Sequence, residues 1–303
     1  MRKLYRLSAL CIVFFLMGSP LVAEDAKYWL DKAAEYEEAG RWDKAVEAAE
    51  KAVEMAPDDI DIREKLASYY YRTGQYDKAL EHYNKIIMHD PNLARAYNGR
   101  ARIYRKLDRF EEAIADCNRA IALDPKYAGP YNIRGVAQKN LGRFDEAVAD
   151  FTRALDIDPK HYQARMNRAI LYTDLARYDA AVADYDKVIE YYPEDVNGYG
   201  GRGWTYYLAG RYDEALGDVE KAMEIAPNDI GVLDTRSNIY RQQGKYDEAM
   251  ADIEKALAID PEFYFAYYTR GLLFEVLGEA EKALADFRYA CDNGEKEACG
   301  KLK

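Results

Sequence analysis

Pro57, Pro91, Pro125, Pro159, Pro193, Pro227 and Pro261 follow one another at a constant interval of 34 residues. A period of that length marks one small structural element copied along the chain, each copy burying its apolar face against the next. Stacking of this kind makes a long surface and no enclosed chamber, so the pattern implies partner binding and argues against catalysis. It also overrides the two globular domains that a length of 303 residues would suggest.

With each proline set at position 32, eight repeats run 26–59, 60–93, 94–127, 128–161, 162–195, 196–229, 230–263 and 264–297, the last without its proline. Apolar residues recur at helical spacing in two stretches per repeat. The break between them, at position 15, is glycine in six repeats (Gly40, Gly74, Gly142, Gly210, Gly244 and Gly278), where a helix can end in left-handed backbone. Three positions on, an acidic residue such as Asp43 or Asp145 suits the positive N-terminus of a second helix. The proline then blocks its continuation. Small residues at positions 8 and 20, among them Ala67, Gly135, Ala79 and Ala147, let the paired helices approach closely. Aromatic residues at positions 11 and 17, such as Tyr70 and Phe144, fill the space around them; Gln138 and Ala280 interrupt those columns.

In one repeat, Tyr131-Asn132-Ile133-Arg134-Gly135, Gly142-Arg143-Phe144-Asp145-Glu146-Ala147 and Asp158-Pro159 resemble the tetratricopeptide repeat family, and the resemblance extends over nearly all of residues 24–303. It implies an all-α fold, a right-handed superhelical solenoid of eight helix-turn-helix repeats whose first helices line the concave face. It further implies a non-enzymatic scaffold or adaptor that binds a protein or peptide partner in that groove. The alternative is a self-assembling module, a homo-oligomer using the same groove.

Two charged columns appear and vanish together. Position 7 is arginine in repeats three to eight (Arg100, Arg134, Arg168, Arg202, Arg236, Arg270), and position 23 is aspartate in the same six (Asp116, Asp150, Asp184, Asp218, Asp252, Asp286). The first two repeats carry Lys32 with Ala48, and Leu66 with His82. The co-occurrence predicts a bridge between the two helices of one repeat rather than to the following repeat. The alternative, a ladder of arginines reading an anion, is opposed by the neutralising aspartates.

By the same resemblance, positions 2, 5, 9, 12 and 13 face the groove. Repeats two to four place Arg72, Arg95, Arg102, Arg105, Lys106 and Lys139 there, with Asn98 and Asn132 suited to a peptide backbone. Repeats five, six and eight place Met166, Ile170, Trp204, Tyr207, Leu208, Phe265, Tyr268, Leu272 and Val276 there, with Gly200 and Gly201 on the same helix as possible points of close backbone approach. These residues suggest one elongated groove with a basic half and an apolar half, for a peptide or partner helix bearing acidic and hydrophobic segments. The plainer reading packs part of the apolar set between neighbouring repeats or against a second copy. No repeat pairs Lys at position 5 with Asn at position 9, the combination by which some family members clamp a C-terminal carboxylate.

Residues 1–23 stand outside the period. Arg2, Lys3 and Arg6 precede an apolar run from Leu7 to Met17, and Gly18-Ser19-Pro20 leads to Leu21-Val22-Ala23, the layout of a secretory leader cleaved after Ala23. Retention as an anchor is the alternative, and an extracytoplasmic, periplasmic location is the expectation. The chain carries 43 Lys and Arg against 54 Asp and Glu, a net charge of −11, and loss of the leader would make it more acidic, which disfavours nucleic acid.

Cys117 sits in the core column at position 24 and reads as an inert buried thiol. Cys291 and Cys299 flank Asp292-Asn293-Gly294, with a short closing helix expected from Glu295. Related Sel1-like repeats join adjacent helices through cysteines at comparable spacing, which implies a disulfide between these two. No His, Cys and carboxylate grouping has metal-ligand spacing, and no cofactor is expected. The G-x-G-x-x-G of Gly198, Gly200 and Gly203 falls inside a predicted helix with no preceding strand, so it is not read as a dinucleotide loop.

Overall fold

The computed structural model describes residues 20–303, with side chains from Glu24 onward. The expected leader lies outside this range except for its last four residues, which open the helix Pro20–Glu38. Seventeen helices and no strand are found among the described residues. They form two compact bodies, 20–159 with eight helices and 160–303 with nine.

Each repeat is a helical hairpin. In the third, Ala94–Lys106 pairs with Phe110–Leu123; in the sixth, Val196–Leu208 pairs with Tyr212–Ile225. Within a body, first helices also touch first helices of the next repeat, as Ala94–Lys106 touches Ala128–Asn140 and Ile230–Gln242 touches Tyr264–Leu277. The first helices therefore make a continuous inner layer in each body, and the second helices lie behind them.

The turn inside each hairpin has a local cause. Gly40, Gly74, Gly142, Gly210, Gly244 and Gly278 take φ between 67° and 81°, and the next amide bonds back five residues, as Arg41 N does to Tyr36 O at 2.8 Å. Asp108 and Ala176 hold the same place at φ 56° and 55° and close the same bond, so the turn geometry survives loss of the glycine. At the repeat junction, Asp59, Asp195 and Asp229 cap the following helix by accepting from its free amides. His161 does the same through Nδ1, accepting from Ala164 N at 3.3 Å.

Packing between helices includes a ring-to-glycine fit, within a repeat at the small position 8 and across repeats at position 6. Position 24 carries a large ring in four repeats, and each ring faces a glycine. Phe151 lies against Gly135 and Phe287 against Gly271 of their own repeats; Tyr83 lies against Gly99 and Tyr185 against Gly201 of the next. A Cβ at Gly135 would stand 2.7 Å from the Phe151 ring. Overpacking of this kind costs about 1–3 kcal/mol, against about 0.5–1 kcal/mol gained in helix propensity. Gly135→Ala should therefore lower the unfolding free energy by about 1–2 kcal/mol in urea denaturation, and Phe151→Leu in the same chain should recover part of that. A neutral or stabilising Gly135→Ala would refute the fit.

The six arginines and six aspartates meet in a ladder. In every pair, such as Arg134 with Asp150, Arg Nε reaches Oδ2 at 2.7–2.8 Å and Nη2 reaches Oδ1 at 2.6–2.9 Å, a two-pronged bridge between the helices of one repeat. The aspartate side chains are at most 10% exposed. The third guanidinium nitrogen turns backward to position 25 of the preceding repeat: Arg100 Nη1 to Asn84 Oδ1 at 2.7 Å, Arg134 to Asn118, and Arg202 to Asp186. The bridge expected within one repeat thus has a second arm, tying each of these repeats to the one before.

Candidate partner-binding site

The basic set lies wholly in the body 20–159 and the apolar set wholly in the body 160–303. Several of the basic residues are engaged by their own chain. Arg95 bridges Asp61 and Glu64, with Nε 2.8 Å from Glu64 Oε2, and so is not a free cation for a ligand. Arg72 stacks 4.8 Å over Trp42, and Arg102 stacks 4.5 Å over Tyr71. Asn98 donates Nδ2 to the Tyr127 hydroxyl at 2.9 Å, leaving its Oδ1 sealed and without a partner, as is Arg102 Nε. Arg105 is half-buried and Lys106 exposed on the same helix; Asn132 and Lys139 are half-buried one repeat further on. The cationic character of this face rests on fewer side chains than its composition suggests.

The apolar set builds two adjoining clefts. One, of about 340 Å³, is lined by Met166, Ile170, Gly200, Trp204, Val196 and Val232. The other, of about 310 Å³, is walled by Trp204, Tyr207, Leu208, Phe265, Tyr268 and Leu272. Trp204 belongs to both, stacks on Tyr207 with ring centroids 5.2 Å apart, and is 37% exposed. Ile170, Leu208 and Phe265 are exposed too, so these rings and chains are not filler between repeats. Val276 is exposed on the same helix as Phe265 but lies outside the cleft lining. Gly200 and Gly201 both line the first cleft, and the missing Cβ of Gly201 also makes room for the Tyr185 ring.

The floor of the second cleft is polar and comes mainly from repeat seven, which supplied none of the groove residues singled out from sequence. Asn238 Nδ2 donates to Thr269 Oγ1 at 3.1 Å and to Asp234 Oδ2 at 3.3 Å. Arg241 Nη2 donates to the Tyr207 hydroxyl and to Asn238 Oδ1, both at 3.4 Å. Asp234 Oδ1 and Arg241 Nε are shut off from solvent with no partner. Asp234, Asn238 and Arg241 occupy positions 5, 9 and 12, the groove positions, and that register was the signal that could have found them.

Burial pushes the Asp234 carboxyl up from 3.8 to about 6, against weaker opposing help from Thr269 and Arg241. A raised carboxylate pKa stabilises the fold below 3.8, where both states are protonated, and that advantage is lost as pH rises through 6. Asp234→Asn should therefore be near neutral at pH about 4 and stabilising by up to about 3 kcal/mol above pH about 7. Thermal melts across that range check it; a destabilised Asn variant at neutral pH would contradict the assignment.

The chain's end completes the rim. Cys291 and Cys299 are joined, and the helix Lys296–Gly300 packs Ala298 onto Phe287 and Ala290. Glu295 and Glu297 thereby reach the second cleft, with Glu297 Oε2 accepting from the Tyr268 hydroxyl at 3.0 Å. Cys117 is fully buried, and burial pushes its thiol far up. His82, in the slot of a missing aspartate, is pushed down to about 4 by burial. Among the described residues no group of His, Cys, Asp or Glu is placed to hold a metal ion, and no helix is long and apolar enough to cross a membrane.

Helical hairpins stacked in register, with an inner layer of first helices that leaves aromatic clefts open, define a helical-repeat binding protein. Models of the tetratricopeptide repeat match residues 36–103, 94–127, 129–161 and 169–230, and a model described as TPR repeat matches 238–278. The chain belongs to the tetratricopeptide repeat family. Among solved structures, a tetratricopeptide repeat protein from Parabacteroides merdae is 22% identical with a TM-score of 0.60, over 86% of this chain and 99% of that one. PilW, a type IV pilus biogenesis factor, is 24% identical with a TM-score of 0.61, over 67% of this chain and 94% of its own. PilF of Pseudomonas aeruginosa is 18% identical with a TM-score of 0.59, over 71% and 98%. At these identities the likeness is one of fold. No curated protein matches the sequence.

Proposed function

We propose that this protein is a non-enzymatic scaffold of the cell envelope that holds a peptide or partner helix against the first-helix face of the body 160–303. The observation that carries this reading is the pair of open clefts sharing Trp204, which expose Ile170, Trp204, Leu208 and Phe265 where a self-contained repeat would bury them. The leader-like residues 1–23 and the bonded Cys291–Cys299 pair support an oxidising compartment such as the periplasm. Cleavage after Ala23 is part of the proposal.

Affinity capture from cells of origin tests it. The wild-type protein should retain a partner that Ile170→Glu releases, whereas identical retention by both would remove the cleft from the account. The basic face of the other body is tested separately by replacing Arg102 and Arg105 together: capture that falls and that weakens with added salt assigns it a share of the interface, and an unchanged yield removes it. The self-assembly alternative predicts light-scattering mass that grows with concentration and reverts to monomer in Trp204→Ala.

A further inference from the structure

The second cleft holds more chemistry than an apolar groove needs. Its walls are aromatic, with Trp204 and Tyr207 stacked on one side and Phe265 and Tyr268 on the other. Its polar lining carries three carboxylates, Asp234, Glu295 and Glu297, against one guanidinium, Arg241. One of those carboxylate oxygens, Asp234 Oδ1, is sealed and accepts nothing. A buried acceptor left empty costs free energy unless a donor arrives from outside, and a cation over aromatic faces gains a further electrostatic attraction.

We propose that this cleft receives a cationic side chain, lysine or arginine, of the bound peptide, with Asp234 Oδ1 as its acceptor and the Trp204 and Tyr207 rings as its wall. The inference rests on the partner-binding reading above and deepens it. Glu295 and Glu297 steer the cation to the mouth. Arg241 does not compete for the same place, because its Nη2 is turned to Tyr207 and Asn238. The site thus offers an acceptor for one charged side chain between aromatic walls, which is the pattern of a residue-reading pocket in a peptide groove.

The experiment is selection of a random-peptide display library on the purified protein with its disulfide intact, followed by titration of synthetic peptides. The proposal expects peptides that share one lysine or arginine among apolar residues. Replacing that residue by norleucine, or Asp234 by Asn, should weaken binding about 10- to 100-fold. The Asp234→Asn protein should keep its helical circular dichroism, so that lost binding is not lost folding. Peptides that bind and are lost with Trp204→Ala, but show no basic preference and no response to Asp234→Asn, would overturn this inference and leave the partner-binding reading standing. Selection that yields no peptide sensitive to Trp204→Ala would overturn both.

Discussion

Asp184→Ala is expected to lower the unfolding free energy by about 3–5 kcal/mol, the largest stability loss among single side-chain truncations on the ladder. Asp184 accepts from Arg168 Nε at 2.8 Å, from Arg168 Nη2 at 2.7 Å and from Arg165 Nη1 at 3.2 Å, and its side chain is 5% exposed. Truncation removes the acceptor that two largely buried guanidiniums share, and no water-rich surface takes its place. The exposed pair Lys187–Glu190 on the same helix is the control: Glu190→Ala should leave the unfolding free energy nearly unchanged, because solvent screens that pair. Repeats couple to their neighbours, so amide exchange should show the loss first in the hairpin 162–191 and only then along the body. A change under about 1 kcal/mol for Asp184→Ala would mean that the ladder is ornamental.

Trp204→Ala is expected to weaken partner binding about 30- to 1000-fold while moving the melting temperature little. Its indole is shared by both clefts and stacked on Tyr207, the setting of an interface anchor, and removal of such anchors costs about 2–4 kcal/mol of binding free energy. The fold depends on it much less, since Gly203 and Thr205 are the buried residues beside it on that helix. Isothermal titration with a selected peptide measures the first effect and a thermal melt the second. Equal losses in both would make Trp204 a core residue and not an anchor.

The 34-residue period carried most of the fold. It set the two helices of each repeat, the left-handed turn between them and the column of paired charges, because each of these is repeated many times in one chain. What it did not carry depends on single departures from the pattern. The backward arm of the arginines needs Asn84, Asn118 and Asp186 at a position whose occupant varies. The ring-to-glycine fits pair residues in different columns, and for the tyrosines in different repeats. The division into two bodies leaves no trace in a period that runs unbroken through Pro159. At the site, the aromatic walls were legible from groove register alone. The polar floor was passed over because repeat seven looked unremarkable one residue at a time, and the acidic rim depends on a tail folded back by Cys291–Cys299.

The most direct test of partner binding through the first-helix face of the body 160–303 is photo-crosslinking in cells. A photoreactive residue is placed at Leu208, in the second cleft, and in a separate chain at Glu248, exposed at the start of a second helix. The account predicts a discrete adduct with another protein from position 208 and none from position 248. Adducts of equal yield from both positions, or from 248 alone, would contradict it.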